Sequence, residues 1–276
     1  MTPLQIGFIV AVIVIIPSIL VVPGFLRRKR HERLMEESFS AEWMEILKKR
    51  VPLYFKLPEA LQRQLQGHIN IFLKEKTFIG CQGIEVDDEI RVTIAAQACM
   101  LIMNRKSTDY KDLLTIYVYP TAYICRQKQM TENGLVVESE GVNLGESWST
   151  GRVVLSWDDS AGGARNLYDG HNVVMHEFAH QLDQETGDTD GCPILDQRTN
   201  YFSWGQVLSE EYKELVEDTM KHRKSVMDKY GATNPAEFFA VATETFFEKP
   251  EQLHKKHPEL YDQLKNYYHL DPESWL

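Results

Sequence analysis

Cysteine is scarce in this chain of 276 residues: Cys81, Cys99, Cys125 and Cys192 are scattered and form no C-x-x-C pair. That argues against a disulfide framework or a cysteine-built zinc site and fits a reducing compartment. Positive charge is also short, with a formal net charge of -10 and no basic stripe outside one short segment. Direct nucleic-acid binding is therefore not expected. No repeat of roughly 20 to 50 residues is visible. No Pro/Gly/Ser-rich linker divides the chain after residue 50, so one main domain is expected there. With 43% hydrophobic and 25% charged residues, the composition is that of a globular protein with a sizeable core.

The most telling absence lies at the start. From Met1 to Leu26 there is no charged side chain, and "IGFIVAVIVIIPSILVVPGFL" is almost wholly apolar. About 20 residues of helix cross a hydrocarbon core, so this run is long enough to span a membrane. Pro17 would kink the helix, which transmembrane segments tolerate. A cleaved signal peptide needs basic residues before its apolar run, whereas "RRKRHER" comes after this one. The segment 1–26 is thus expected to be an uncleaved anchor, and the positive-inside rule keeps the remainder of the chain in the cytoplasm. Residues 27–45 form a basic, charged juxtamembrane stretch, and 46–276 the folded domain.

In that domain "AEWMEILKKR", "PEALQRQLQGHINIFLKEK" and "DDEIRVTIAAQACMLIMNR" are expected helices, the last largely buried. "LLTIYVYP" (113–120) and "RVVLSW" (152–157) are β-branched and aromatic, hence strands. "SAGGARNLYDGHN" is expected to be a loop, with no Lys-Ser/Thr after its glycines to suggest phosphate binding. The next helix runs from about Gly170 to Glu185, stopped by Gly187. Further helices are expected through 205–229, at 235–248 and near 257–268. The whole is a helix-rich α+β fold with a small mixed sheet.

One helix stands out. "VVMHEFAHQLD", residues 173–183, carries His176 and His180 one turn apart, with Glu177 beside the first. Residues i and i+4 lie on one helix face, so two imidazoles stand side by side at the spacing that one tetrahedral zinc requires. Val174, Phe178 and Leu182 form a separate apolar stripe. Glu177 sits one position round, poorly placed to chelate but well placed to take a proton from water on the metal. This is the H-E-x-x-H arrangement, two ligands and a general base. Titratable groups on an otherwise apolar helix need such a reason, because unpaired buried charge is costly.

A catalytic zinc wants a third protein ligand and one open position. "NPAEFFAVATETFFEKP" offers two candidates, Glu237 and Glu244, seven residues apart on one face. Asn234 and Pro235 read as the N-cap and first residue of a helix. An acid three residues after an N-cap also resembles a capping box. Local reasoning leaves capping Glu237, ligand Glu237 and ligand Glu244 as alternatives.

Several linked motifs carry a resemblance over roughly residues 45–270: "FIGCQGIEVDD", "IYVYP", "GESWSTGRVVLSWDD", "HEFAHQLD" and "NPAEFFAVATETFF". In order and spacing the chain resembles the Mlc titration factor A family of zinc-dependent peptidases, itself similar in its catalytic core to the anthrax lethal factor protease domain. The resemblance implies a zincin-like fold, one Zn²⁺ held by His176, His180 and Glu237, and Glu177 as the catalytic glutamate. It implies that Tyr230, in "DKYGATNPAE", assists the reaction. Asp183 and Glu244 match acidic family positions and suit the support of histidine N–H groups. The amino terminus departs from the family's soluble regulator, so that protein's partnership with a sugar-responsive repressor is not assumed for this chain, and a regulatory protein partner stays an alternative.

The expected function is a membrane-anchored, cytoplasm-facing zinc metallopeptidase acting on a peptide or protein substrate. Water activated by zinc, with Glu177 as general base, would attack the peptide bond, and Tyr230 would steady the oxyanion. A strand such as "RVVLSW" could hold an extended peptide by edge pairing. The alternative is a membrane-tethered binding protein that sequesters a regulatory partner with little catalysis.

Overall fold

The computed structural model describes residues 23–105, 110–130, 136–143, 145–148 and 151–276. The expected apolar span 1–26 lies outside these except for its last four residues. Among the described residues no helix is long and apolar enough to cross a membrane.

Residues 23–36 form helix α1, which carries the basic run. It is docked on the domain. Asn70 donates its side-chain amide to the Leu34 and Glu37 carbonyls, and His31 and Arg27 pair with Glu75. Gly67 lets the two helices meet, since a Cβ there would lie 2.7 Å from Met35 Sδ. Helix α2 (Ala41–Arg50) and α3 (Glu59–Glu75) come next, then strand β1 (Thr77–Gly80) and α4 (Asp88–Met100). Asp87 caps α4 by accepting from Ile90 N, and nearly every α4 residue from Ile90 on is buried. That is why its sequence reads as apolar almost all round.

Strands β2 (Thr115–Tyr119), β3 (Tyr123–Met130), β4 (Val136–Asn143), β5 (Gly145–Trp148) and β6 (Arg152–Ser156) come after α4. The main sheet runs β1-β2-β6-β5, and β3 and β4 form a separate antiparallel pair. β1, β2 and β6 are parallel, with Ile116 opposite Val153, and β5 closes the sheet antiparallel to β6, with Gly145 opposite Leu155. The sheet is small and mixed, as expected. "RVVLSW" is a strand, but it lies between β2 and β5 and has no free edge to offer a peptide. The outer strand on that side is β5.

Helix α5 (Trp157–Arg165) occupies the first part of the expected loop "SAGGARNLYDGHN". Ser156 caps it through Asp159 N, which starts a helix that composition alone argues against. Its Gly163 is there for closeness: a Cβ would sit 3.1 Å from Asn172. Then come α6 (Val173–Asp183), α7 (Asn200–Met220), α8 (Pro235–Glu248), α9 (Pro250–Lys256) and α10 (Pro258–Tyr268). The helix expected through 205–229 begins earlier and ends at Met220, where His222 takes a positive φ of 51°.

α6 runs through the middle of the domain and packs on α4, α5, α8 and β5. Its apolar stripe is sealed, with Val174, Phe178 and Leu182 fully buried. Phe178 meets the rings of Tyr110 and Phe72 at centroid distances of 4.9 and 5.7 Å. Truncating such a side chain costs about 3–5 kcal/mol, so the stripe holds α6 firmly in register.

Candidate metal centre

Two helix starts build the site. α6 begins at Asn172, whose side chain accepts from Met175 N at 3.0 Å. α8 begins at Asn234, whose side chain accepts from Glu237 N at 3.0 Å, with Pro235 as the first helical residue. The cap therefore uses the backbone of Glu237 and leaves its carboxylate to reach α6. Glu237 is no capping-box glutamate.

That carboxylate meets both histidines. Glu237 Oε2 lies 2.9 Å from His176 Nε2 and 3.3 Å from His180 Nε2, and the two nitrogens are 3.2 Å apart. Ligand atoms roughly 2.0–2.1 Å from a tetrahedral zinc lie about 3.3 Å from one another. Three facing donor atoms at 2.9–3.3 Å thus fit one small cation, and two imidazoles with a carboxylate are a donor set that zinc accepts. A metal ion belongs to this chemistry, and His176, His180 and Glu237 are the residues that could hold it. Burial opposes ionisation of Glu237, but hydrogen bonds from the two imidazoles outweigh it and hold the carboxyl down at about 2. For His176 burial favours the neutral ring, yet Glu237 and Glu244 together push its pKa well above the usual value.

Behind the histidines the support is uneven. His176 Nδ1 donates to Glu244 Oε1 at 2.7 Å. Glu244 also accepts from Asn172 N, and Asn172 donates its side-chain amide to Glu248 Oε1 at 3.1 Å. Burial raises the Glu248 carboxyl to about 8, with the Glu244 charge adding to that and the Asn172 hydrogen bond opposing it. Glu244 is thus the support that the sequence suggests. Asp183 is not. It is buried, but its Oδ2 accepts from Gly191 N at 2.8 Å, tying down the segment after α6, while His180 Nδ1 has no hydrogen-bond partner among the described residues.

Glu177 and Tyr230 complete the cluster. Glu177 is 6% exposed, and its charge is felt by both His176 and Tyr230. Tyr230 stands on a short 3-10 turn, Lys229–Ala232, started by Asp228 accepting from Tyr230 N at 2.7 Å. Its ring lies 5.9 Å from that of His176. Burial raises its pKa, and the charges of Glu237 and Glu177 raise it further, so the phenol stays a proton donor. All five residues expected at the site come together. Sequence reasoning missed Asn172 and Glu248, whose only signals are an asparagine at a helix start and a glutamate four after Glu244.

A second group of metal-type side chains, Glu211, Glu214 and His257, also converges. There His257 Nδ1 is engaged with Glu211 Oε2 at 2.6 Å, an ion pair that pins α7 to the start of α10.

Comparison with known proteins agrees with this geometry. The sequence profile of the glucose-regulated metallo-peptidase M90 family matches residues 25–269. An uncharacterized protein of Synechocystis sp. is 42% identical over 244 residues, covering 88% of this chain and 89% of that one. Mlc titration factor A of Yersinia pestis is 30% identical over 241 residues, 86% of this chain and 87% of its own. The Yersinia pseudotuberculosis protein of the same name matches to the same extent.

Proposed function

Because the chain belongs to the glucose-regulated metallo-peptidase M90 family, we propose that it is a zinc-dependent peptidase whose metal is held by His176, His180 and Glu237. The observation that carries this is the triangle of Nε2, Nε2 and Oε2 atoms, 2.9–3.3 Å on each side, at the meeting of α6 and α8. When bound, zinc supplies Lewis acidity to a peptide carbonyl and lowers the pKa of water at its open position. Glu177 takes the proton of the attacking water and hands it to the leaving amine nitrogen. Tyr230, kept protonated, donates a hydrogen bond to the carbonyl oxygen as it gains charge. Glu177 is itself buried, which strengthens its electrostatic part in these steps. An extended substrate is read by β5, the outer strand beside α6, through backbone hydrogen bonds.

The test is hydrolysis of a mixed peptide library by the full chain, with chelator and with zinc restored. Cleavage that chelation abolishes and zinc restores is expected. A chain that carries zinc and cleaves nothing in the library is no peptidase.

The uncharged run 1–26 with "RRKRHER" directly after it supports an anchored protein with its domain in the cytoplasm. Protease added to sealed cells should leave the domain intact, and digestion from outside would refute this orientation. A second reading has one observation in its favour: relatives at 30% identity are named for titrating Mlc. On that reading the chain is a membrane-tethered binder of a regulatory protein, and its output is indifferent to Glu177.

A further inference from the structure

A cavity of about 360 Å³ opens between the segment after α4, residues 194–197, the first turn of α7 and the end of α10. None of the metal-site residues lines it. Its lining is polar in one sense: it is rich in donors and poor in negative charge.

Arg105 is the centre of it. The guanidinium is half-buried, lies 4.2 Å above the centre of the Tyr267 ring and donates Nη1 to Tyr267 Oη at 2.5 Å. Among the described residues no carboxylate is within ion-pairing distance of it; the Glu185 charge acts on it only from further away. A guanidinium has five N–H donors, and one hydrogen bond to a neutral hydroxyl leaves most of them for a ligand. Burial works against that charge, but Tyr267, Tyr268, the more distant Glu185 and Tyr110 outweigh it, so the guanidinium stays charged with donors to spare.

The start of α7 faces the same space through Asn200 and Ser203. Thr199 makes no side-chain cap, and the first turn holds no acid. The Asn200 N–H is already given to the Gln197 carbonyl, and the N–H groups just after it carry the partial positive charge of this 21-residue helix beside Arg105. Gln263 and Asn266 add side-chain amides from α10. The one carboxylate in the lining, Asp196, is paired with His269 Nε2 at 2.8 Å.

We propose that this cavity is a binding site for an oxyanion, the phosphate or carboxylate of a small polar molecule, with Arg105 and the amino end of α7 as its two positive poles. The arrangement is unusual on a chain of net charge -10, where anions are repelled in general and a site for one has to be built. The floor reaches the metal centre's helices: Trp204 donates Nε1 to Gly191 O at 3.1 Å, and Gly191 N donates to Asp183 at the end of α6. An occupant thus bears on the segment that joins α6 to α7. The site stands independently of the peptidase reading.

The test is calorimetric titration of the chelator-treated full chain in detergent micelles with inorganic phosphate, and separately with acetate, at constant ionic strength in chloride. Saturable one-site binding is expected, tighter for phosphate if a phosphate is the natural group and tighter for acetate if a carboxylate is. Arg105→Gln should weaken it about tenfold or more, as expected for losing a charged hydrogen-bond donor, and Arg105→Lys should weaken it less. Asn200→Asp places an acid at the helix start, so it should keep or raise the melting temperature while weakening the anion. It decides the matter if Arg105→Gln fails to fold. Glu237→Gln should bind phosphate as the unaltered chain does, which separates this cavity from the metal centre. No saturable binding of either anion, or binding unchanged in Asn200→Asp and in a folded Arg105→Gln, would overturn the proposal.

Discussion

His176 donates Nδ1–H to Glu244 Oε1 at 2.7 Å, on the edge of the ring opposite to the Nε2 that faces Glu237. That bond turns Nε2 toward the place where a metal fits, and with a metal on Nε2 it would keep the ring's remaining proton on Nδ1. Two glutamates of one helix, seven residues apart, thereby hold the same imidazole from both sides. Their roles differ. Glu237→Gln replaces a charged donor with a weak neutral one and should lose most bound zinc. Glu244→Gln removes support only and should weaken zinc by about 10- to 100-fold. Metal content by mass spectrometry separates the two, and equal loss from both variants would contradict the assignment.

Gly191 tests the scaffold between the helices. Its φ is +80°, and a Cβ would lie 2.5 Å from the Pro235 carbonyl oxygen, at the first residue of α8. Gly191→Ala therefore strains the backbone by an amount on the order of 1–3 kcal/mol and pushes on the turn that presents Glu237. The melting temperature should fall and zinc should be held less tightly. A variant with the unaltered chain's melting temperature would show that α8 does not depend on this contact.

The pair of His257 and Glu211 predicts a pH dependence. The hydrogen bond from Glu211 raises the pKa of His257, burial opposes it, and the charges of Glu211, Glu214 and Asp218 add to the rise. A histidine whose folded pKa lies above its unfolded value stabilises fully below the unfolded value, near 6.5, and loses that contribution as pH rises through the folded one. Both side chains are only 11% and 15% exposed, so the pair is worth about 1 kcal/mol or somewhat more. Denaturant melts of His257→Gln should show their largest deficit near pH 6 and a shrinking one at higher pH. A deficit that grows with pH would contradict the assignment of charge.

Much of the site is legible in the sequence because helix periodicity is local. His176 and His180 at i and i+4, the stripe Val174, Phe178, Leu182, and the start of α8 at Asn234 and Pro235 all come from rules that span a few residues. Gly187, the expected terminator, takes a φ of +98° but ends a 3-10 turn, Gln184–Thr186, that follows α6, while α6 itself runs only from Val173 to Asp183. The choice between Glu237 and Glu244 is not local: it depends on how α8 crosses α6, and the resemblance rather than the spacing points to Glu237. The main sheet is less legible for the same reason. β6 reads as a strand from its β-branched run, but only pairing partners distant in sequence reveal that β2 and β5 flank it. "SAGGAR" reads as loop by its glycines, and the cap at Ser156 and the close approach to Asn172 make it a helix instead. Asp183 has the right type and place to support His180, yet its Oδ2 accepts from Gly191 N and its Oδ1 makes no hydrogen bond to His180.

Whether the metal centre is an enzyme's and not merely a binder's turns on Glu177. This residue sits in the cluster without belonging to the set that could hold the metal. Glu177→Gln keeps size and polarity but cannot take a proton from water at neutral pH. The most direct measurement is peptide hydrolysis per bound zinc, made side by side on the unaltered chain and on Glu177→Gln. Zinc content should be equal, and hydrolysis should fall by about 10²- to 10⁴-fold, the loss expected for a general base. Hydrolysis at the same rate in Glu177→Gln would contradict the mechanism, and zinc-loaded protein with no hydrolysis to lose would contradict the enzyme.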